Sequence, residues 1–294
     1  MPKRTKERLQ IDRDQLVRLF AEQPELISIF PAEIIPPERL KLWHETPGLA
    51  IAEIAGRDSI AAAIKLHREG QVEKILPTVA YNGAQYGSLE SVYQAVELLC
   101  ERIGSENVFE LVALGSPKFW QALNLRFADA LSERFGFYTP YIGCHLYIHA
   151  VRIPLAKQIG SSLIISGERE SHNGQIKINQ TAMVLDYYRK LLRHFDLELA
   201  QPLRHVRAGS EVVELLGCDW KGGERQLHCV LSGNYKNPDG SVDFGLGRRF
   251  SDEKSSRFLE QFGLPVAQTI IEKLLRGGLV DYEREAAQAL ARLP

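Results

Sequence analysis

The sequence predicts an α/β fold: a Rossmann-like, doubly wound parallel sheet with helical N- and C-terminal extensions. Strand-like apolar runs alternate with segments of helical spacing through the middle of the chain, which is typical of a parallel sheet covered by helices on both faces. Residues 51–64 combine a short apolar run, a glycine turn and the start of a helix. A composition of 45% hydrophobic and 25% charged residues over 294 residues is that of an ordinary globular chain.

Composition and proline punctuation divide the chain into three parts. Residues 1–45 are predicted to form a helical extension, because the run DRDQLVRLFAEQ has helical spacing and three prolines follow it. Residues 46–217 are predicted to form the α/β domain. Residues 218–294 hold a segment rich in cysteine and glycine, followed by amphipathic helices interrupted at Gly277 and Gly278. We expect those helices to serve packing or self-association into a homo-oligomer.

Strands and helices are expected to alternate within the α/β domain. The expected strands cover residues 49–55, 74–81, 107–114, 161–166 and 197–199. The expected helices cover residues 58–69, 88–103, 117–135, 145–159, 179–194 and 210–216. Pro77 has no N–H group for a ladder, so the second strand is expected to have it at an end or an edge. The loops at the carboxyl ends of the strands are expected to form one ligand-binding rim.

The turn after the first strand is the leading candidate for a binding loop. Gly56 is expected to adopt a backbone conformation closed to other residues, and Asp58 and Ser59 lie where a helix N-cap belongs. The N–H groups at a helix N-terminus suit a phosphate or pyrophosphate. The Arg57 guanidinium can form a fork with phosphate oxygens. An ordinary β–α turn with a good cap explains the same residues equally well.

The charge balance argues against broad binding of nucleic acid. The net charge is −1 and the isoelectric point is near 6.7, so a basic surface is not expected, although RNA stays open as a substrate. The basic start MPKRTKER lacks the apolar segment of a signal peptide. No apolar run reaches the roughly 20 residues that a membrane span needs. We therefore expect a cytoplasmic protein with no membrane partner.

Three of the four cysteines are candidates for chemistry or metal binding. Cys144 follows a glycine and is expected to open a helix, which would lower the pKa of its thiol and favour the thiolate. Cys218 and Cys229 flank Gly222 and Gly223, whose turn could bring the two thiols together.

The grouping of these cysteines has three interpretations. Cys144, Cys218 and Cys229 could hold a [4Fe–4S] cluster with one open iron. The same three with His145 or His228 could form a structural Zn²⁺ site. Alternatively, Cys218 and Cys229 are small buried residues, since their spacing is not that of a C-x-x-C motif.

Three segments, in order along the chain, carry a family resemblance. They are GRDS at residues 56–59, GCHLYIHAVRIPLAKQIGSSLIISGERESHNG at residues 143–174, and QPLRHVRAGSEVVELLG at residues 201–217. Together they resemble the PP-loop (N-type) ATP pyrophosphatase superfamily, and most of all its tRNA and small-molecule sulfur-transferase branch. The matching positions are Gly56, Asp58, Ser59, Cys144, Arg152, Ala156, Gly160, Gly167, Glu168, Arg169, Pro202, Leu203, Arg204 and Glu211.

The chain also departs from the family pattern. The pyrophosphate loop of the family is SGGxDS, whereas Ala55 and Gly56 stand here at its Ser-Gly position. The family's GHxxDD loop is replaced by GERESHNG, with Glu168 and Glu170 instead of the acidic pair. The second cysteine of its CxxC motif is replaced by Tyr147.

The resemblance implies a fold of the adenine nucleotide alpha-hydrolase type and an ATP-dependent reaction. In that reaction an oxygen of the substrate is adenylylated, pyrophosphate is released, and sulfur or ammonia displaces AMP. The residues that would bind the nucleotide are Ala55, Gly56, Arg57, Asp58, Ser59, Gly167, Glu168 and Arg169. The catalytic residues would be Asp58 as a Mg²⁺ ligand, Arg57 on the leaving pyrophosphate, and Cys144 as a cluster ligand or persulfide carrier.

Three functions therefore stay open at this stage. The leading hypothesis is sulfur transfer from an unidentified donor to a small molecule or nucleobase. The second is a nitrogen-transferring ligase that forms an amide or nitrile. The third is a non-catalytic adenine-nucleotide-binding module, which would need the loop at residues 56–59 but neither Cys144 nor Glu168.

Overall fold

Parallel strands form the main sheet of the computed structural model, which describes residues 13–22, 25–32, 34–220, 226–232 and 251–294. The strands of the described residues are β1 (Leu49–Glu53), β2 (Lys74–Tyr81), β3 (Gln85–Tyr86), β4 (Val112–Gly115), β5 (Leu163–Ile165), β6 (Glu198–Ala200) and β7 (His228–Cys229). Strands β3 and β7 form a separate antiparallel pair. The predicted turn at Gly222 and Gly223 lies outside the described residues.

Helices connect the strands and form both extensions. In the described part of the chain they are α1 (Arg13–Glu22), α2 (Pro37–His44), α3 (Arg57–Arg68), α4 (Glu90–Ile103), α5 (Pro117–Leu123), α6 (Ala128–Phe135), α7 (Pro140–Ala150), α8 (Ile153–Gln158), α9 (Ala182–His194), α10 (Gly209–Leu216), α11 (Asp252–Phe258), α12 (Leu264–Leu275) and α13 (Tyr282–Ala291). A π-helical turn, Leu259–Gly263, joins α11 to α12.

The strand order defines the place where a ligand can bind. In space the order is β4-β2-β1-β5-β6, and each neighbouring pair is parallel. The chain builds outward from β1 in one direction, then returns to build outward from β5 in the other. Between β1 and β5 the connecting loops diverge and leave a crevice, the switch point of a doubly wound sheet. The prediction of an α/β fold with a parallel, Rossmann-like sheet is therefore confirmed.

Two hydrophobic clusters cover the two faces of this sheet. Along β1, Leu49 and Ile51 belong to one cluster, whereas Ala50 and Ala52 belong to the other, because successive side chains of a strand point to opposite faces. The alanine face is covered by α3, whose residues 61–63 are alanines with no exposed surface. Small side chains on both elements let the N-terminus of α3 lie close above the end of β1.

The expectation that Pro77 lies at a strand end or in an edge strand is wrong. Pro77 lies within β2, which is an interior strand between β1 and β4. The N–H of Phe109 donates to the Ile75 carbonyl, and regular pairing with β4 begins at Thr78. Pro77 thus lies at an interruption of the ladder, where its missing N–H group has no strand partner to satisfy.

Two of the expected helices are each divided in the structure. Residues 117–135 form α5 and α6, and residues 145–159 form the end of α7 and α8. Pro154, at the start of α8, explains the second division because it has no N–H group for the carbonyl of Ala150. The helix that carries Cys144 begins at Pro140, which is earlier than expected.

The two extensions pack onto the sheet domain. Helices α11 to α13 contribute side chains to the same cluster as Leu49 and Ile51. Leu26 and Gly115 exchange two backbone hydrogen bonds of 2.7 and 2.9 Å, which attaches the N-terminal segment to the end of β4. The Tyr282 hydroxyl donates to Glu25 Oε2 at 3.2 Å. None of the described helices has the length and apolar character needed to cross a membrane.

Candidate functional site

A cavity of about 1000 Å³ lies at the carboxyl ends of β1 and β5. Its walls come from the loops after those strands, one side of α7, the N-terminus of α10 and the β7 segment. The sequence-predicted residues that line it are Ala55, Gly56, Arg57, Asp58, Ser59, Cys144, Gly167, Glu168, Arg169 and Cys229. Cys218 does not line this cavity. The position matches the switch-point crevice at which doubly wound folds bind ligands.

The loop at residues 55–59 is held by its own serine. Ser59 Oγ accepts hydrogen bonds from the backbone N–H groups of Ala55 and Gly56, at 3.1 and 3.2 Å, and donates to the Gly56 carbonyl at 2.6 Å. No described residue accepts a hydrogen bond from the N–H groups of Arg57 and Asp58 in the first turn of α3. Those two groups are available to a bound anion.

The structure requires glycine at position 167, whereas the sequence predicts that requirement at position 56. Gly56 has a φ of 179°, which is extended backbone open to any residue, so the expectation of a special conformation there is wrong. A Cβ at Gly167, in contrast, would lie 2.4 Å from the Ser59 backbone nitrogen and 2.6 Å from its Cα. The loop after β5 therefore rests directly on the first turn of α3, and a side chain would separate the two loops.

Asp58 binds two arginines that come from both sides of the crevice. Arg57 Nε donates to Asp58 Oδ1 at 2.9 Å, and Arg169 Nε donates to Oδ2 at 2.8 Å. Burial raises the pKa of Asp58, but the guanidinium groups of Arg169 and Arg57 outweigh burial and lower it. Each carboxylate oxygen of Asp58 thus accepts one hydrogen bond from an arginine, and the role of Asp58 as a Mg²⁺ ligand stays a prediction.

Arg169 retains one unused donor in the cavity wall. Its side chain is 2% exposed, its Nη2 lies 3.1 Å from His172 Nδ1, and its Nη1 is buried without a hydrogen-bond partner. A buried guanidinium nitrogen without an acceptor is unfavourable. A phosphate oxygen in the cavity would satisfy it.

Lys177 adds a third cation beside this group. Burial lowers the pKa of Lys177 to about 8, and Arg169 adds to the effect while Asp58 opposes it. Burial likewise lowers the pKa of His172 to about 3, with further contributions from Lys177 and Arg169. His172 is therefore neutral at pH 7, and it lies 2.5 Å from Gln180 Oε1 through Nε2. The crowding of cations at this end of the cavity favours an anionic ligand.

Sequence reasoning missed a buried ionic cluster that adjoins this group in the cavity wall. His145 Nδ1 lies 2.8 Å from Glu168 Oε1, and Gln201 Nε2 donates to Glu168 Oε2 at 3.0 Å. His149, which has no exposed surface, places Nε2 3.2 Å from Glu168 Oε2 and Nδ1 3.6 Å from Glu53 Oε2, both without hydrogen-bond geometry. A glutamate that ends an otherwise apolar strand, LAIAE, was the available signal.

The charges of this cluster stabilise one another. Burial alone raises the pKa of Glu168, but the imidazoles of His149 and His145 outweigh it and hold the pKa well below its usual range. Burial alone lowers the pKa of His149, but Glu168 and Glu53 outweigh it and raise the pKa. The cluster thus contains an ionised Glu168 beside a histidine that holds a proton more firmly than usual.

Cys144 does not have the reactivity that its sequence position predicts. It lies within α7 rather than at its first turn, and its Sγ accepts from Trp120 Nε1 at 3.4 Å and Asn82 Nδ2 at 3.5 Å. Burial raises the pKa of the Cys144 thiol to about 12, and Cys229 and Glu53 add to the rise. The expectation of a lowered pKa is therefore wrong, because burial of the thiol outweighs the hydrogen bonds from Trp120 and Asn82 that lower its pKa.

The three cysteines also fail to form one metal site. Cys144 packs against the cluster on the α7 face of the sheet, and Cys218 packs against the cluster on the α3 face. Among the described residues, no three His, Cys, Asp or Glu side chains are grouped so that they could hold a metal ion. The arrangement of these residues thus fits neither the [4Fe–4S] cluster nor the Zn²⁺ site with Cys144, Cys218 and Cys229 as ligands.

A comparison with known proteins finds a relative in an archaeon. Over 262 residues the chain is 41% identical to the uncharacterized protein MJ0009 of Methanocaldococcus jannaschii, and the match covers 88% of this chain and 90% of that protein. The chain belongs to the family of MJ0009. No family model matches the chain. Because the relative's description states no activity, the function has to be argued from the cavity itself.

Proposed function

We propose that this protein is an ATP-dependent adenylylating enzyme of the PP-loop type, with a fold of the adenine nucleotide alpha-hydrolase type. The single observation that carries the proposal is the cationic end of the cavity. There, the first turn of α3 offers unbonded N–H groups and Arg169 offers a buried, unsatisfied Nη1. Both lie at the switch point of the sheet, where doubly wound folds bind nucleotides.

The charges suit the pyrophosphate part of ATP. Arg57, Arg169 and Lys177 supply three cationic groups against two carboxylates, Asp58 and Glu168, whose charges both act on Lys177, so the local balance is positive. Asp58 orients the two guanidinium groups rather than binding the anion itself. Fixed donors that face the leaving pyrophosphate stabilise the charge that develops on it in the transition state.

The proposed reaction begins at the α-phosphorus of ATP. An oxygen of the acceptor substrate attacks that phosphorus, the bond to the bridging oxygen of the β-phosphate breaks, and pyrophosphate leaves with the bonding electron pair. AMP is then displaced from the acceptor by a nucleophile. In the sulfur-transfer form of the proposal, Cys144 in the cavity wall carries the sulfur.

Nitrogen transfer is the second candidate, and the state of Cys144 favours it. A thiol with a pKa raised to about 12 is neutral at pH 7 and is a poor sulfur nucleophile. Ammonia needs neither a thiolate nor a cluster. The adenylylation step is the same in both candidates, and only the nucleophile that then displaces AMP differs. Adenylylation and displacement are therefore tested in separate experiments.

The first experiment measures ATP binding by calorimetry. Replacing Arg169 with Gln removes a charge-assisted donor worth about 1.5–3 kcal/mol, so the affinity for ATP should fall roughly 10- to 100-fold. Arg204→Gln is the matched control. Arg204 also pairs with two acidic side chains, Glu170 and Asp186, but it does not line the cavity. Failure of the unaltered protein to bind ATP, or an equal loss in both variants, would contradict the proposal.

The second experiment separates the two nucleophiles. The protein is incubated with α-labelled ATP, a fractionated small-molecule extract and either ammonium or a low-molecular-weight persulfide, which passes its outer sulfur to Cys144 and leaves as a thiol. Labelled AMP is followed directly, and pyrophosphate is followed by a separate phosphate assay. Cys144→Ala should abolish the persulfide-dependent release, because the outer sulfur of the donor then has no thiolate to accept it, and should leave the ammonium-dependent release intact. Binding of ATP without any release of pyrophosphate would favour the non-catalytic nucleotide-binding module instead.

A further inference from the structure

Glu53 is a buried carboxylate that lacks hydrogen-bond donors. It ends β1, is 7% exposed, and lines the cavity. No described residue donates a hydrogen bond to it, and its Oε2 is fully buried. A buried acceptor of this kind is costly unless a ligand or water satisfies it.

The cations near Glu53 do not supply the missing donors. Arg152 has no exposed surface, and its Nε donates to Thr78 Oγ1 at 2.8 Å, while its other nitrogens donate to the carbonyls of Thr78 and Ile148. His149 Nδ1 is 3.6 Å from Glu53 Oε2 and makes no hydrogen bond. Arg152 and His149 therefore offset the charge of Glu53 but leave its lone pairs open.

The surroundings of Glu53 favour a flat ligand group. Next to it, the cavity wall is formed by the apolar strand ends Ile54, Val79 and Ala80. Cys144 is close enough for the Glu53 charge to act on its thiol. Neither oxygen of Glu53 accepts a hydrogen bond from a described residue, so the carboxylate can accept two parallel N–H donors, as in the fork that arginine presents to carboxylates. A planar group with two such parallel donors uses both carboxylate oxygens at once, whereas the N–H bonds of a tetrahedral ammonium diverge.

We propose that Glu53 anchors the acceptor substrate through an amidine-type N–C–N edge, which donates two N–H bonds to the carboxylate. The inference rests on the proposed function for assigning this end of the cavity to the acceptor. The cationic end at α3 then holds the phosphates of ATP. The anchored edge places the rest of the acceptor beside Cys144, between Glu53 and the nucleotide.

Saturation-transfer NMR with benzamidine, acetamidine and methylammonium tests the anchor directly. We expect both amidines to bind the unaltered protein and methylammonium to bind at least tenfold more weakly. Glu53→Gln should weaken amidine binding tenfold or more. Glu110→Gln is the matched control, since Glu110 is equally buried, pairs with Arg39 and does not line the cavity. Circular dichroism checks that both variants are folded.

Three results would overturn the anchor. They are the absence of amidine binding, equal binding of methylammonium, and unchanged amidine binding in Glu53→Gln. A titration of ATP against bound benzamidine then tests the assignment of the two ends. Simultaneous binding supports a separate acceptor subsite, whereas displacement by ATP shows that Glu53 holds the nucleotide base. If ATP does not bind but the amidines do, the proposed function fails and the anchor stands.

Discussion

At the scale of single residues, burial and neighbouring charge decide the chemistry of this cavity. Cys144 has the residue type and the preceding glycine of a reactive thiol, yet burial raises its pKa to about 12. His149 has the opposite outcome, because Glu168 and Glu53 outweigh its burial and raise its pKa. The reactivity of a thiol and the charge of an imidazole thus depend on burial and on partners that are distant in the sequence.

Lys177 provides the residue-scale prediction. Its pKa of about 8 means that it loses its positive charge as the pH rises through 8. The affinity for ATP should therefore fall about 3- to 10-fold between pH 7.5 and pH 9.5, measured by calorimetry. Lys177→Arg keeps the charge over this range and should flatten the profile. A variant profile that keeps the same slope would show that another group is responsible.

At the scale of elements, the site depends on the direct contact between two loops. Gly167 brings the loop after β5 onto the first turn of α3, and this contact positions Arg169 against Asp58. The short, alanine-rich interface between β1 and α3 holds that first turn in place. The cationic end of the cavity is therefore assembled by packing of backbone against backbone.

Gly167→Ala is the prediction at this scale. The new Cβ would overlap the Ser59 backbone, which cannot move without α3, so we expect a loss of roughly 1–3 kcal/mol in stability and a large loss of ATP affinity. Gly174→Ala is the control in the same loop. Gly174 has a φ of +86° and open space around it, so this change costs stability through backbone strain while ATP affinity is retained. Similar ATP affinity in both variants would refute the contact model.

At the scale of the whole molecule, buried ionisable groups link the cavity to the stability of the fold. The pKa of His172 is lowered from 6.5 to about 3, so the unfolded chain binds a proton in this range that the folded chain excludes. Stability contributed by the neutral imidazole is therefore present above pH 6.5 and is lost as the pH falls toward 3. Glu168, whose pKa is also lowered, acts in the same direction.

Denaturant unfolding between pH 7 and pH 4.5 measures this effect. The free energy of unfolding should fall by about 1 kcal/mol per pH unit below pH 6, and His172→Asn should reduce that slope because asparagine does not titrate. His205→Asn removes a histidine with an 82% exposed side chain and serves as the control. A slope that is unchanged in His172→Asn would assign the acid sensitivity to other groups.

The sequence by itself determined the order of strands and helices along the chain, and the proximity of the turn at residues 56–59 to the loop at 167–169. These features are local or follow from chain order, since the carboxyl ends of parallel strands always share one edge. The prediction of an N-cap at Asp58 and Ser59 is wrong, because the N-cap is Gly56 and both residues lie in the first turn of α3. Only the tertiary structure decided the cluster of Glu53, His149 and Glu168, the two arginines on Asp58, and the separation of Cys144 from Cys218. Those outcomes depend on which strands become neighbours, which face of the sheet each helix covers, and how deeply each charge is buried. Local sequence patterns do not predict such long-range contacts, because these contacts form only when the sheet and its helices pack together.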